Sequence, residues 1–326
     1  MIEFLIACVL PYVAFAIFIV GTIYRVYEWS KCAVPLKIPT TCAQQKSLNN
    51  LKRTIWDRID CPSNKFETFV RMLFEVFLFR SLFRNTKYYI EKQKQNDTRW
   101  LWLFAILFHY CLLIILIRHL RFFTNPVPGF VQFLDFLDSA MGEAFVPPVY
   151  MTSLIALAAL AFLWGRRIFL AKERSISLPS DHLILGLMAG ILISGITMRY
   201  FIKVDVAAVK EVALGLVTFH PPSPEVLHSI GWIFYVHLFL VCITIAYLPF
   251  SKVMHFAGIW FSTTRNMPNN NRYERHINPW DPNPEVPILV REGRAVKLDW
   301  NKYYEMYKDQ LDEIEERGCV IKPEEL

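Results

Sequence analysis

The chain has 326 residues, of which 54% are hydrophobic, and a formal net charge of +6. This apolar fraction is too high for an ordinary soluble protein of this size. The charge does not indicate nucleic-acid binding, since no Lys/Arg-rich run with interleaved aromatic residues occurs away from the apolar segments. The seven cysteines form no CxxC or CxxCH motif, which argues against a ferredoxin-type iron–sulphur site and a c-type haem attachment.

Five apolar runs are long enough to cross a bilayer, which takes about 20 residues. They are Phe4–Tyr24, Trp100–Leu120, Val149–Leu170, Leu183–Ile202 and Ile230–Phe250. No basic segment precedes the first run and no small-residue cleavage site follows it, so we interpret it as a retained helix rather than a signal peptide. The predicted fold is an all-α integral membrane protein with five transmembrane helices, in the cell (cytoplasmic) membrane.

The basic residues that flank these runs predict the orientation. The loop of residues 25–99 has 15 Lys/Arg against 7 Asp/Glu, whereas Phe122–Pro148 has no Lys or Arg. The third loop contributes Arg166, Arg167 and nearby basic residues. Loops rich in Lys and Arg stay cytoplasmic. We therefore expect the N-terminus outside, the first and third loops inside, and the C-terminus in the cytoplasm.

The first loop contains an amphipathic segment, Phe66–Tyr89. Its aromatic and aliphatic residues alternate with Arg71, Arg80, Arg84 and Lys87. Such a pattern predicts an interfacial helix whose aromatic side chains dip into the membrane while arginines meet lipid phosphates. The alternative is a docking helix for a partner subunit.

The remaining connections are predicted as follows. The second loop turns at Pro126–Gly129 and continues as a short helix over Phe130–Met141 on the outer face. The polar tail contains a charged segment, Asp299–Arg317, that is typical of a short helix. We therefore divide the chain into a membrane domain, residues 1–260, and a cytoplasmic C-terminal arm, residues 261–326, that orders on a partner.

Four histidines occur at two intervals: His109 and His119 are ten residues apart in the second run, and His237 in the fifth run is eighteen residues before His255, just past the end of that run. Histidine in a bilayer is usually functional, and imidazole is an axial ligand of haem iron. Ten residues of helix rise ~15 Å and eighteen rise ~27 Å. On antiparallel helices, depth pairs His119 with His237 and His109 with His255, which predicts an outer and an inner haem b. We expect tilt between the helices, and His255 reaching back from the interface, to absorb the difference in rise.

Other readings of these residues stay open. The histidines could be polar residues in helix contacts, pigment ligands or ligands of a non-haem metal, although no carboxylate accompanies them in the spans. Arg118 and Arg121 flank His119, and Arg199 ends the fourth run on the same side. Arginine pairs well with haem propionates, so these three are candidate cofactor-binding residues; the alternative is that they reach lipid headgroups.

At His109–His119 and His237–His255 the chain resembles the gamma subunits of respiratory nitrate reductase, a family of five-helix di-haem b quinol oxidases. The segment Leu248–His255 resembles the stretch that leads into the last ligand of that family. Gamma subunits have a lysine after the second helix that is associated with quinol binding. Phe122–Pro148 has no lysine, so this resemblance does not supply a quinone site.

A more specific resemblance lies in the loops. His119–Pro128, Thr264–Arg272 and Arg275–Trp280 resemble the DsrM family, the haem b subunits of the DsrMKJOP (Hme) complexes of sulphate reducers. This resemblance implies menaquinone as a cofactor. It also implies four partners: an iron–sulphur subunit similar to heterodisulphide reductase, a multihaem cytochrome c, a ferredoxin-like subunit and a second membrane subunit that interacts with quinone.

The resulting hypothesis is a di-haem cytochrome b subunit that passes electrons between menaquinol/menaquinone and a cytoplasmic iron–sulphur subunit in dissimilatory sulphate/sulphite reduction. Two alternatives are a haem b anchor of a nitrate or heterodisulphide reductase-type complex, and a haem-free membrane scaffold. The sequence assigns no catalytic residue and leaves the direction of electron flow open.

Overall fold

The computed structural model describes residues 2–32, 53–84, 86–89, 94–140, 149–269, 288–291 and 294–297. The chain divides into two compact units, Met1–Asn269 and Asn270–Leu326. Of the second unit, the described part is one antiparallel hairpin, Ile288–Arg291 with Arg294–Lys297. The charged helix predicted over residues 299–317 lies outside the described residues.

The first unit begins with the elements α1 (Ile2–Lys31), α2 (Ile55–Asp60), α3 (Lys65–Leu78), α4 (Arg80–Arg84), β1 (Thr86–Tyr89), β2 (Lys94–Asp97), α5 (Arg99–Phe123), α6 (Gly129–Ala140) and α7 (Met151–Phe169). It continues with α8 (Ala171–Ser175), α9 (Pro179–Tyr200), α10 (Val206–Thr218), α11 (Pro224–Ser229), α12 (Trp232–Tyr247), α13 (His255–Gly258) and α14 (Thr263–Asn266). Three-residue 3₁₀ turns follow α12 and flank α13.

Five helices are long and apolar enough to cross a membrane: α1, α5, α7, α9 and the segment Trp232–Phe250 that contains α12. The prediction of five helical spans is confirmed. Two short hairpins, β1–β2 and the one in the second unit, lie outside the spans and were not predicted. The short helix predicted in the second loop is present as α6. Helices α10 and α11 of the fourth loop had not been predicted.

The spans pack in the order α5, α7, α9, α12, α1, and α10 packs on α5. Contacts at their ends give the directions of neighbouring spans: α7 and α9 are antiparallel, as are α9 and α12, whereas α1 and α12 run parallel. The Tyr150 backbone N–H donates to the Tyr200 hydroxyl over 2.7 Å, and Lys252 Nζ lies 2.7 Å from an Asp181 carboxylate oxygen. We call the end of the bundle at which α5 begins the His109 end, and the opposite end the His119 end.

Small residues let the spans approach closely, as is usual in membrane bundles. One buried cluster lies where α5, α7 and α9 meet. A second lies where Leu5–Val9, a π-helical turn of α1, meets α10, α11 and α12. The first contains Cys111, Ala156, Leu160 and Leu192, and the second contains Ala7, Cys8, Ala208, Val212, Leu227, Ile230, Phe234 and Tyr235. Large apolar side chains such as Leu113 and Leu116 face outward, as expected for helices surrounded by lipid.

Two predicted helices end earlier than expected. The helix predicted over Phe66–Tyr89 ends at Leu78, because Phe79 adopts a left-handed conformation with φ 51° and the chain then forms α4 and β1. The fifth span stops being α-helical at Tyr247, since Pro249 lacks a donor for the helix ladder.

Candidate metal centre in the helix bundle

Two of the predicted ligands, His109 and His255, face each other. Their ring centroids are 6.1 Å apart and the ring planes make an angle of 75°. Two imidazoles that bind one metal ion from opposite sides, with metal–nitrogen bonds of about 2 Å, have centroids roughly 6 Å apart. This pair therefore fits the separation that a bis-histidine site requires.

The expectation that His255 lies on the same continuous helix as His237 is wrong. After α12 the backbone passes through Pro249 and an extended Ser251 (φ −105°, ψ 168°), and His255 begins the separate helix α13. This break changes the direction of the chain. The distance between the two histidines is therefore not the rise of an eighteen-residue helix, and helix tilt is not needed to reconcile the two spacings.

Helix α1 holds this break in place. A Cβ atom on Gly21 would lie only 2.9 Å from Pro249 Cβ, so glycine is what allows α1 to come this close. One turn along the same helix, Arg25 Nε donates a hydrogen bond of 3.1 Å to the Pro249 carbonyl. The first span thus supports the turn that carries the chain to His255.

The other two predicted ligands, His119 on α5 and His237 on α12, lie close enough for their rings to interact electrostatically. Space for the His237 ring comes from Gly195 of α9, where a Cβ atom would lie 3.4 Å from His237 Cε1. The structure thus places His109 against His255 and His119 in the neighbourhood of His237. That these two pairs bind metal stays a prediction.

All four rings are held by the same nitrogen. Nδ1 lies 2.7 Å from the carbonyl four residues earlier in both His109 and His119, and 3.2 Å from the Lys252 carbonyl in His255. In His237, Nδ1 lies 2.9 Å from Ser194 Oγ. Because a carbonyl only accepts, Nδ1 carries the proton in the first three, and Nε2 keeps its lone pair.

This pattern is the usual one for histidines that bind metals, where the second ring nitrogen donates to a carbonyl or hydroxyl and fixes the ring. Among the described residues, no hydrogen bond reaches Nε2 of the four histidines. The same residues contain no group of three or more His, Cys, Asp or Glu that could hold a metal ion. An axial haem site requires only two protein ligands per iron, so the donor set present suits haem.

Aromatic rings enclose the His109 side of the centre. The Phe79 ring contacts His109 edge-on at 5.0 Å between centroids, and Phe108 does so at 5.5 Å. At the other end of the bundle, the ring centroids of Phe122 and His119 lie 5.9 Å apart. The contact of Phe79 with His109 was not expected, because Phe79 was predicted to lie inside a continuous helix.

Two of the candidate propionate-binding arginines have carboxylate partners on α6. Arg118 Nε lies 3.1 Å from Asp135, and its Nη1 bonds to Asp138. Arg121 Nη1 also lies 3.1 Å from Asp135. Burial alone would raise the pKa of Asp135, but the hydrogen bond from Tyr150 and the charges of the two arginines outweigh burial and hold this pKa below its ordinary value.

Arg199, the third candidate, is placed differently. The Tyr150 ring lies between Arg118 and Arg199, with the guanidinium carbons 3.3 Å and 4.2 Å from the ring centroid. Arg199 Nε is buried and has no hydrogen-bond partner among the described residues. A buried donor of this kind fits an acidic group of a bound cofactor. Propionate binding by the three arginines stays a prediction.

Sequence reasoning missed Asp135, Asp138, Tyr150 and Ser194. The sequence could have indicated the two aspartates as arginine partners. They are three residues apart on a short apolar helix, in a loop without basic residues. For Tyr150 and Ser194 no such signal existed. Their roles depend on which helices pack together.

A sequence model described as "Nitrate reductase gamma subunit" matches residues 72–268, more than half of the chain, including all four histidines. The chain belongs to this family. The family resemblance deduced from the sequence is confirmed, and with five apolar helices the chain is a multi-pass membrane protein.

Two archaeal relatives are similar over nearly their whole length. The chain is 68% identical over 325 residues, 97% of both chains, to the "Hdr-like menaquinol oxidoreductase cytochrome b-like subunit" of Archaeoglobus profundus. It is 54% identical over 334 aligned positions, 100% of both chains, to a protein with the same name from Archaeoglobus fulgidus.

Proposed function

We propose that this chain is a di-haem cytochrome b subunit of a membrane redox complex. The observation that carries the proposal is the facing pair of His109 and His255, together with the Nδ1 contacts that hold all four histidine rings and leave Nε2 for a metal. The family match and the names of the two relatives support the same conclusion.

In this proposal His109 and His255 hold one haem b, and His119 and His237 hold the other. Haem supplies one-electron redox chemistry when bound. The chain contributes ligands, fixed ring orientations and an apolar environment. Arg199, with Arg118 and Arg121 nearby, supplies positive charge for the propionates at the His119 end.

We further propose that the chain passes electrons between menaquinol/menaquinone and a cytoplasmic iron–sulphur subunit similar to heterodisulphide reductase. The relatives are named as menaquinol oxidoreductase subunits of an Hdr-like kind, which supports both the electron donor and the class of partner. The orientation suggested by loop charge puts the N-terminus outside and the His109 end on the cytoplasmic side of the cell membrane, the side to which it also assigns the loop of residues 25–99 and the C-terminal arm.

The wider assignment follows the DsrM-like motifs of the loops. It comprises dissimilatory sulphate/sulphite reduction, with a multihaem cytochrome c, a ferredoxin-like subunit and a second quinone-interacting membrane subunit as further partners. Subunit identities in the purified complex distinguish this assignment from a haem b anchor of a nitrate reductase-type complex, which the family match alone would equally support.

A haem assay of the purified chain tests the central proposal. We expect a reduced α-band near ~560 nm, typical of histidine-ligated b haem, and two haems per chain in the pyridine haemochrome assay. A chain that folds in its native membrane and contains no haem would be a scaffold, and would contradict the proposal. Reduction of the haem band by a menaquinol analogue, in the intact complex, tests the proposed electron donor.

A further inference from the structure

Helix α3 of the first loop has its apolar side outward. Phe66, Phe69, Leu73 and Phe77 are 74%, 58%, 40% and 56% exposed, and their spacing places them on one face of the helix. The opposite face, with Thr68, Met72 and Glu75, is buried. A helix on a water-exposed surface shows the reverse pattern.

The carboxylates of α3 find their partners inside the protein, whereas Nε of Arg71 on the same helix is buried without a hydrogen-bond partner among the described residues. Glu67 accepts hydrogen bonds from the Ser63 backbone N–H at 2.7 Å and from Arg53 Nη1 at 3.2 Å. Glu75 accepts from the Ser81 backbone N–H at 3.1 Å. Burial alone would raise the pKa of Glu67, but the Ser63 and Arg53 contacts outweigh it and hold that pKa below its ordinary value. Helix α3 is thus polar inside and apolar outside.

Contacts with α5 show how deep the end of α3 lies. Tyr110 hydroxyl donates to the Phe77 carbonyl at 2.9 Å, and Trp102 Nε1 donates to the Leu78 carbonyl at 2.7 Å. Tyr110 is the central residue of the apolar run Trp100–Leu120. It lies about 16 Å along α5 from the first residue of that helix. Side chains point back towards the start of their own helix, so the end of α3 lies beside the early turns of α5, within the apolar span.

Several polar groups of the irregular backbone at this depth are satisfied within the protein. The Phe79 N–H donates to the Phe74 carbonyl, and the Phe79 carbonyl accepts from the N–H groups of Leu82 and Phe83 at 2.9 Å and 3.1 Å. Tyr110 and Trp102 satisfy the Phe77 and Leu78 carbonyls, which would otherwise bond to water. Non-helical backbone at membrane depth needs partners of this kind within the protein.

We propose that α3 and Phe79 form a re-entrant segment embedded in the membrane leaflet at the His109 end, with lipid acyl chains covering the four apolar side chains of α3. Exposed Lys65, the first residue of α3, is available to lipid phosphates at its edge. Through Phe79, the segment also closes one side of the His109 and His255 pair. This placement does not depend on the haem assignment.

A docked partner subunit is the competing occupant of the apolar face, and depth argues against it. A protein that covered this face would have to enter the apolar layer beside α5. Leu113 and Leu116 of α5 are also apolar and exposed, as expected for side chains that face lipid, so α5 and α3 both present apolar side chains outward.

Collision-based electron paramagnetic resonance distinguishes the two occupants. A nitroxide is attached at Phe69→Cys or Phe77→Cys in the full chain, with Cys32, Cys42 and Cys319 replaced by serine, in vesicles of phosphatidylcholine and phosphatidylglycerol. Leu113→Cys is the lipid-facing control and Arg58→Cys the aqueous control. We expect the ratio of oxygen to nickel-chelate collisions at positions 69 and 77 to match that at Leu113, well above that at Arg58.

The proposal is overturned if positions 69 and 77 collide with the nickel chelate as Arg58 does. It is also overturned if, in the purified complex, both labels are shielded from oxygen and nickel alike, since a partner protein would then cover the face. Position 69 lies two turns away from the Tyr110 contact. It therefore gives an independent answer if Phe77→Cys does not fold, as judged by size-exclusion profile.

Discussion

The rings of His109 and His255 lie 6.1 Å apart, although one is inside a long membrane helix and the other begins a four-residue helix beyond the last span. The break at Pro249 and the approach of Gly21 bring them together. This relationship separates the four histidines into two pairs and leads to the following predictions.

Ser194 is expected to position His237. Its hydroxyl lies 2.9 Å from His237 Nδ1 and also donates to the Ile191 carbonyl at 3.1 Å, so it fixes the ring that faces His119. Loss of such a partner typically weakens metal binding by about 10–100-fold. Ser194→Ala should therefore retain less haem at the His119 and His237 pair, and the electron paramagnetic resonance signal of that haem should shift.

Thr197→Ala is the matched control, because Thr197 lies on the same helix and its hydroxyl, among the described residues, bonds to the Ile193 carbonyl and to no histidine. It should retain both haems with unchanged signals. An equal loss of haem in Ser194→Ala and Thr197→Ala would mean that the serine has no specific effect on the ring.

Arg118 is expected to matter for stability far more than Arg121. The Arg118 and Asp138 side chains are 9% and 2% exposed, so Arg118→Ala leaves a buried carboxylate without its counter-charge, at a cost of about 3–5 kcal/mol. The Arg121 side chain is 40% exposed, and its pair with Asp135 contributes below about 1 kcal/mol. Denaturant unfolding in detergent measures both variants. Similar losses in the two would contradict the burial argument.

Gly21 is expected to tolerate no side chain. The Cβ of Gly21→Ala would lie 2.9 Å from Pro249 Cβ, a rigid ring carbon, and overpacking of this kind costs about 1–3 kcal/mol. Gly129→Ala is the control, since no atom lies within 4 Å of its added Cβ. The thermal midpoint in detergent should fall for the first variant and stay unchanged or rise for the second. If the midpoints agree, α1 does not constrain the Pro249 turn.

The spans and the proximity of His109 to His255 could be predicted because they depend on local properties. Apolar runs of sufficient length form helices in lipid, and position along antiparallel helices gives each histidine a depth. His109 lies beside His255 although the assumed continuous helix to His255 was wrong. A depth argument needs only the order of the residues between the two membrane faces, whereas the exact distance depends on where Pro249 ends the helix.

The environment of the site could not be predicted, because it depends on packing between distant segments. Arg118 was interpreted as a propionate or headgroup partner, yet its carboxylate partners come from α6, seventeen and twenty residues along the chain. Phe79 reaches His109 only because α3 ends in a left-handed residue, which the amphipathic pattern of Phe66–Tyr89 does not reveal.

The haem content of two double variants tests the central claim most directly. His119→Ala with His237→Ala removes both ligands of one proposed haem, so the pyridine haemochrome assay should find one haem b per chain. His119→Ala with His255→Ala removes one ligand from each, and the chain should contain none. Equal haem content in the two double variants, or two haems in either, would contradict the pairing of the four histidines.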